Sequence, residues 1–201
     1  MSEQNEWNGN DANALAEWAR SNVPMRHKAA KIEQGGVWGE RFKRAVDLVG
    51  KNPGSVVALL GPRGTGKTQI AVELLRHCCS KMAQSVKYTR AIELFMAVKS
   101  TYGKASTDNE TNALKQFVLP DVLVIDEIQV RGETEWENNL LTYVIDARYA
   151  ANKATLLIAN LKVEAFKESM GDSVVQRLIE TGDIIICDGA SFRTKPKKQG
   201  D

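Results

Sequence analysis

The first residues that could do chemistry form a glycine-rich segment between an apolar run and an amphipathic stretch. Residues 61–68 read GPRGTGKT and match the pattern G-x-x-x-x-G-K-[ST]. Such glycines let the backbone fold around a phosphate with its N–H groups pointing inward, and the helix that follows adds partial positive charge. The segment therefore predicts a site for ATP with Mg²⁺, and a glycine-rich turn of chance composition is the disfavoured alternative. The predicted nucleotide contacts are Gly61, Pro62, Arg63, Gly64, Thr65, Gly66, Lys67 and Thr68.

Two residues of this segment have separate predicted roles. Lys67 is expected to reach the β- and γ-phosphates, and the Thr68 hydroxyl is expected to ligate Mg²⁺. A pair of carboxylates, Asp126 and Glu127, ends the apolar run VLVI at 122–125. Two acids after a strand more often form a solvated turn, but next to a phosphate-binding loop they predict a magnesium ligand, Asp126, and a catalytic residue that polarises water, Glu127.

A third polar group, Asn160, follows the apolar run TLLIA at 155–159. The carboxyl ends of parallel strands form the edge at which open α/β sheets bind ligands. The amide of Asn160 is suited to hold the attacking water, and it is equally suited to cap the next turn. Spacing alone leaves both interpretations open.

The elements that position these residues alternate along the chain. Five runs rich in β-formers are separated by helical patterns, at 56–60, 85–89, 122–126, 155–159 and 183–187. Continuous apolar strands separated by helices indicate a parallel sheet that is covered on both faces. After the third run, Thr134 and Glu137 have the spacing of a capping box. The sequence predicts an α/β fold: a three-layer αβα P-loop NTPase with a five-stranded parallel sheet.

Composition excludes several classes of protein. The 27 Lys and Arg against 25 Asp and Glu give a net charge of +2, so binding of nucleic acid has to be local. The apolar runs are shorter than the about 18 residues that span a bilayer, and the N-terminus has no signal-peptide pattern. Three cysteines, two of them adjacent, fit neither a disulfide framework nor a zinc site. We expect a cytoplasmic protein with no membrane partner.

Between about Leu15 and Arg193 the chain resembles the AAA+ ATPases, and within them the DnaC-like helicase loaders and IstB-like transposition ATP-binding proteins. The resemblance is carried by short motifs in a fixed order beside the P-loop. These are residues 15–27, residues 91–103, DARY at 146–149, ANL at 159–161, QRL at 176–178 and SFR at 191–193.

The resemblance implies roles for Asn160, Arg177 and Arg193. Asn160 corresponds to the family's sensor 1, and Arg177 lies where the family carries its arginine finger. A finger that acts on a neighbouring subunit implies a homo-oligomer, whereas an exposed helical arginine paired with Glu180 is the alternative. Arg193 is a candidate nucleotide contact of the sensor 2 type, and Arg148 is expected to be structural.

A DNA contact is predicted between the second strand and the Asp126 strand. Lys99, Tyr102 and Lys104 combine positive charge with a flat ring, as in phosphate pairing and base stacking on a single strand. A solvated helix end is the alternative, and the resemblance favours DNA.

The resemblance also implies how the chain is divided and what it does. We expect a short polar N-terminal appendage at 1–20, an AAA+ domain at 21–193 without a full C-terminal helical lid, and a basic tail at 194–201. The implied function is that of a helicase-loader-type ATPase that oligomerises with ATP on single-stranded DNA and acts on a replicative helicase. The alternatives are a transposition regulator that selects target DNA and stimulates a transposase, and a nucleotide-binding module that works without DNA.

Overall fold

The computed structural model describes residues 12–30, 35–102 and 108–192 of the chain. Its elements alternate between helix and strand after the first three helices. In chain order they are α1 (Ala12–Arg20), α2 (Met25–Lys28), α3 (Gly36–Lys51), β1 (Val56–Leu60), α4 (Lys67–Lys81), β2 (Val86–Arg90), α5 (Ala91–Lys99), α6 (Asp108–Val118), β3 (Val122–Asp126), a 3-10 turn (Ile128–Val130), α7 (Glu135–Ala150), β4 (Ala154–Ala159), α8 (Val163–Thr181) and β5 (Asp183–Ile186).

The five strands form one parallel sheet in the order β2-β3-β4-β1-β5. Strand β4 therefore lies between β1 and β3, although it follows both in sequence. This order brings the carboxyl ends of β1, β4 and β3 side by side at one edge of the sheet. Ligands of open parallel sheets bind at such a point, where the strand order reverses.

Both faces of the sheet are buried, because successive side chains of a strand point to opposite faces. In β1, Val57 and Leu59 pack with α1, α3 and α4, whereas Val56, Ala58 and Leu60 pack with α5, α7 and α8. All five residues of β1 and of β3 are buried. This confirms the prediction of a three-layer α/β fold with a fully covered parallel sheet. Among the described residues no helix follows β5.

The predicted strand limits agree with the structure at β1 and β3 and differ by one residue elsewhere. Strand β2 runs from Val86 to Arg90, β4 starts at Ala154, and β5 ends before Cys187. The Cys187 amide nevertheless donates to the Leu60 carbonyl at 2.6 Å, so the chain stays beside β1. The predicted capping box at the start of α7 is confirmed. The side chains of Thr134 and Glu137 each accept a hydrogen bond from the backbone amide of the other residue.

Residues 12–20, predicted as a polar appendage, form α1 and contact the core. Ala14 is buried, and the Trp18 ring packs against the hydrophobic core on the α4 side of the sheet. The Glu17 carboxylate accepts a hydrogen bond from the Val86 amide at 3.1 Å. The domain limits themselves stay predictions, and residues 1–11 and 193–201 lie outside the described part of the chain.

No helix in the described ranges is both long enough and apolar enough to cross a membrane. All three cysteine side chains are buried and serve as packing residues, as expected for cysteine outside a disulfide framework.

Arg148 of α7 is fully buried at the edge of the sheet opposite the phosphate-binding loop. Burial lowers the pKa of its guanidinium to about 9, although the negative charge of Asp121 acts to raise it. The group is therefore still charged at neutral pH. Its hydrogen bonds join α7 to the end of α6 and to the starts of β3 and β4. The acceptors are the carbonyls of Phe117, Val118, Pro120, Asp121 and Ala154 and the Thr155 hydroxyl. The expectation that Arg148 is structural fits this position.

We predict that Arg148→Met lowers the free energy of unfolding by about 3 kcal/mol or more, because buried carbonyls lose their donors. Urea denaturation followed by circular dichroism measures the change. Arg44→Met is the matched control: Arg44 forms an exposed ion pair with Asp183, so its loss should cost less than about 1 kcal/mol. Equal midpoints for the two variants would contradict the structural role.

Candidate nucleotide-binding site

The loop at 61–66 joins β1 to α4 and fits closely against the chain that leaves β5. Gly61 and Gly64 have φ angles of 141° and 84°, which residues with a side chain rarely adopt. A Cβ atom at Gly61 would collide with the Cys187 carbonyl, and one at Gly64 with the Ser191 side chain. The Phe192 amide donates to the Gly64 carbonyl at 2.9 Å. Backbone geometry and packing therefore both favour glycine at positions 61 and 64.

Lys67 begins α4, and its ammonium group lies inside the loop. The side chain is buried, and Nζ donates to the carbonyls of Gly61 at 2.7 Å and Pro62 at 2.5 Å. Thr65 Oγ1 also donates to the Pro62 carbonyl at 3.0 Å, which closes the turn. A positive charge enclosed by the loop at a helix N-terminus is suited to bind phosphate.

The Asp126 carboxylate connects three parts of the site. Its Oδ2 atom accepts from the Thr68 hydroxyl and from the Tyr88 hydroxyl, each at 2.8 Å, and Oδ1 accepts from the Glu127 amide at 2.6 Å. Asp126 is buried, so these donors fix its orientation. Burial, and next the negative charge of Asp126, raise the pKa of the Tyr88 phenol above its usual value. Tyr88 therefore stays protonated and acts as a donor.

Glu127 and Asn160 lie beside Asp126 on the wall of the same cleft. Glu127 has left-handed backbone angles, φ 56° and ψ 40°, a conformation that costs free energy in a residue other than glycine and is typical of functional sites. The backbone N–H of Asn160 donates to Gln129 Oε1 at 3.0 Å, which links the ends of β3 and β4. The N-cap of α8 is Lys162, so Asn160 does not cap that helix.

The cleft has a volume of about 1600 Å³, larger than the roughly 300 to 1,000 Å³ of most small-molecule sites. Its polar lining includes Asp126, Glu127 and Asn160 with the loop residues Arg63, Gly64, Gly66, Lys67 and Thr68. Its apolar lining consists of Val23, Pro24, Met25, Val37, Trp38 and Phe192, of which Trp38 and Phe192 lie against Gly66 of the loop.

These residues fit a nucleotide with Mg²⁺. The carboxylate of Asp126 and the hydroxyl of Thr68 are hard oxygen ligands of the kind Mg²⁺ takes. They lie within 2.8 Å of each other and next to the Lys67 loop. Bound there, the metal would neutralise charge on the phosphate oxygens.

Several residues that line or support the cleft had no signal in the sequence. Tyr88 and Arg90 come from β2, and Arg90 forms an ion pair with Glu93 at 2.7 Å on the rim. Tyr88 pairs with Val124 in the register of β2 and β3, so its hydroxyl reaches Asp126 only through the strand order. A strand order known in advance would have been needed to find it.

Two of the three predicted DNA contacts are described, and neither lines the cleft. Lys99 is exposed at the end of α5. Tyr102 is half exposed, its hydroxyl accepts from Trp136 Nε1 at 2.7 Å, and the two rings meet edge to face. Lys104 and Arg193 lie outside the described residues, so the structure says nothing about their predicted roles.

Arg177 lies on the second part of α8, after a break in helical geometry at Gly171. It does not line its own cleft. Its Nε atom lies 2.5 Å from Asp146 Oδ1, and its guanidinium lies 4.8 Å from the centre of the Tyr149 ring. The alternative partner, Glu180, instead accepts from the Tyr149 hydroxyl at 3.2 Å.

The comparison with known proteins is consistent with the nucleotide site that the geometry of the cleft indicates. The sequence model of the family described as IstB-like ATP binding protein matches residues 44–200. The replicative helicase loader DnaC of Escherichia coli K12 is 26% identical over 139 residues, which make up 68% of this chain and 56% of that protein. The chain thus spans about half the length of the curated relatives it matches.

Solved structures support the fold. The crystal structure of the DnaC helicase loader has a TM-score of 0.66 at 21% identity and covers 85% of this chain and 98% of that chain. The replication initiator DnaA bound to AMPPCP and single-stranded DNA has a TM-score of 0.65 at 17% identity, with 84% of this chain and 52% of that chain covered. At these identities the likeness is one of fold.

We predict that Tyr88→Phe weakens the affinity for ATP in the presence of Mg²⁺ by about tenfold, because Asp126 loses one of the donors that orient it. Affinity for ATP in excess chelator should stay within twofold of wild type, since the loop is untouched. Titration with a fluorescent ATP analogue measures both values. Tyr143→Phe, on the exposed tyrosine of α7, is the control; losses of equal size with and without metal would exclude this role of Tyr88.

Proposed function

This chain belongs to the family of IstB-like ATP-binding proteins, and from that premise we propose that it is a Mg²⁺-dependent ATPase of the helicase-loader type that oligomerises on single-stranded DNA when ATP is bound. The supporting observation is the single cleft in which Lys67, Asp126, Glu127 and Asn160 meet at one edge of the sheet. Helicase loading comes to the proposal from relatives named as replicative helicase loaders, and single-stranded DNA from the similar structure of DnaA bound to it. The oligomer comes from the predicted arginine finger, Arg177.

The polar residues of the site have proposed parts in hydrolysis. Lys67 and the loop amides bind the β- and γ-phosphates, and Thr68 with Asp126 holds Mg²⁺. Glu127 polarises the attacking water and accepts its proton, while the Asn160 amide orients that water. Arg193, near the loop-packing residue Phe192 in sequence, is proposed to contact the nucleotide.

Arg177 is proposed to complete the site of a neighbouring subunit. Because it does not line the cleft of its own chain, a catalytic role requires a second copy. Its side chain is partly exposed, and Asp146 and Tyr149 of α7 hold it against that helix. A cation supplied from a neighbour typically accelerates phosphoryl transfer by about 10³ to 10⁵.

We predict that Arg177→Ala and Lys67→Ala each lose most ATP turnover, about 10³-fold, and that a mixture of the two variants regains part of it. Arg177→Ala keeps an intact loop and Lys67→Ala keeps an intact finger, so some mixed interfaces contain both. Turnover is measured as phosphate release, with co-assembly checked by size-exclusion chromatography with ATP.

Lys167→Ala, on the exposed face of the same helix, is the matched control and should turn over ATP like wild type. If the mixture co-assembles and stays inactive, Arg177 does not act across an interface.

The DNA contact is proposed for the end of α5 and the residues that follow it. Lys99 is exposed, and the half-exposed Tyr102 ring is held by Trp136 in a fixed orientation. A positive charge beside a fixed aromatic ring can pair with phosphate and stack on a base. Lys104 is proposed to extend this surface.

We predict that single-stranded oligonucleotide binds more tightly with ATP than without it. Tyr102→Ala should weaken binding by about tenfold, the usual effect of losing a stacked base, and Lys99→Ala or Lys104→Ala should flatten the salt dependence by about one unit of slope. Fluorescence anisotropy at several salt concentrations measures both effects. Lys115→Ala, an exposed lysine of α6, is the control; unchanged binding by all three variants would move the DNA surface elsewhere.

A transposition regulator is the second candidate, favoured by the match to the IstB-like family model. In that case the ATP-bound oligomer selects target DNA and stimulates a transposase.

Affinity capture from host extract with a non-hydrolysable ATP analogue distinguishes the two functions, since the first proposal expects a replicative helicase and the second a transposase. A module that works without DNA would show no stimulation of ATP turnover by DNA. We propose a cytoplasmic location for all three.

A further inference from the structure

Gln69, the residue after Thr68, connects α4 to the segment at 23–27. Its Oε1 atom lies 3.0 Å from His27 Nδ1, and its Nε2 atom donates to the His27 carbonyl at 3.1 Å. The same amide nitrogen lies 3.3 Å from Glu73 Oε1, one turn further along α4. The side chain of Gln69 therefore holds both the backbone and the ring of His27.

The hydrogen bonds define the state of the His27 ring. Arg26 Nε donates to His27 Nε2 at 3.1 Å, so Nε2 is the nitrogen without a proton. In the neutral ring Nδ1 then carries the proton and donates it to Gln69 Oε1. The amide of Gln69 is oriented to match, because its NH₂ group faces the His27 carbonyl.

The segment held by Gln69 cannot fix its own position. Helix α2 has only four residues, and no side chain caps its N-terminus. A single helical turn is not stable alone, so its place depends on tertiary contacts. Apart from the Gln69 bonds, the contacts that hold it include the buried Val23 side chain, the bond from Arg76 of α4 to the Lys28 carbonyl at 2.9 Å and the bond from Lys28 Nζ to the Trp18 carbonyl at 3.0 Å.

This segment and the start of α3 supply apolar residues to the cleft. Met25 and Val37 expose 76% and 58% of their surface, and both line the cleft with the buried Trp38 ring. The phosphate loop lines the same cleft, and the Trp38 ring lies against its Gly66. A ligand that contacts both the loop and these apolar residues has a phosphate chain joined to a flat, largely apolar body, and a nucleotide has this form.

We propose that Gln69 is a positioning residue that fixes the nucleobase-binding segment 23–27 relative to the phosphate-binding loop, and so determines how much of the affinity for ATP comes from its nucleoside. The inference rests on the proposed nucleotide-binding function. Gln69 acts through His27 and touches no reacting atom. Gln69 directly follows Thr68 in α4, so one helix carries both the loop residue and the contact with His27.

The test compares two ligands of wild type and Gln69→Ala. Inorganic tripolyphosphate has the phosphate chain without ribose or base, whereas ATP has all three. Competition against a fluorescent ATP analogue measures both affinities. Gln69→Ala is expected to bind ATP about tenfold more weakly, the equivalent of two net hydrogen bonds, and to bind tripolyphosphate within twofold of wild type.

Two further variants sharpen the result. His27→Ala should give the same selective loss, and the double variant should lose less than the product of the single losses, since both substitutions break one link. Gln116→Ala, on the exposed face of α6, should change neither affinity. Thermal unfolding of each variant verifies that it is folded.

Equal losses for ATP and tripolyphosphate would overturn the inference, because Gln69 would then act on the loop itself. Unchanged ATP affinity in a folded Gln69→Ala would also overturn it. A wild-type protein that binds neither ligand would instead refute the proposed nucleotide-binding function, so the two failures are distinguishable.

Discussion

The site depends on one buried carboxylate. Asp126 accepts hydrogen bonds from the Thr68 hydroxyl, from the Tyr88 hydroxyl and from the next backbone amide, so it ties α4, β2 and β3 to one point. A buried carboxylate with fewer donors would be costly in free energy. The pairing of β2 with β3 supplies one of those donors, the Tyr88 hydroxyl. The proposed magnesium ligand is thereby oriented by residues from three different elements of the fold.

The two edges of the sheet are stabilised in different ways. At the edge of Asp126 the glycine loop packs tightly against residues 187–192, and polar groups face a cleft. At the opposite edge the Arg148 guanidinium is fully buried among backbone carbonyls. The edge with the cleft contains the left-handed backbone of Glu127 and exposed apolar residues such as Met25.

Sequence patterns predicted those parts of the protein that depend on neighbours along the chain. The apolar run of β1, the glycine spacing of the loop and the capping box at Thr134 are local signals, and the structure contains each of them. The contacts of Tyr88 with Asp126 and of Gln69 with His27 join residues 38 and 42 positions apart. Hydrogen bonds of this kind depend on strand order and on the docking of α2, which no local pattern encodes. The pairing of Arg177 with Asp146 was missed for the same reason, because it joins two separate helices.

The central claim is that the cleft at the end of β1, β3 and β4 binds MgATP and hydrolyses it with Glu127 as the residue that activates water. Replacement of Glu127 by Gln keeps the size and the backbone of the residue but removes the proton acceptor. Rapid-quench measurement of a single turnover, with binding of radiolabelled ATP measured in parallel, tests the claim most directly. The account predicts wild-type affinity for MgATP with hydrolysis slower by about 10² or more. Hydrolysis at the wild-type rate by Glu127→Gln would contradict it.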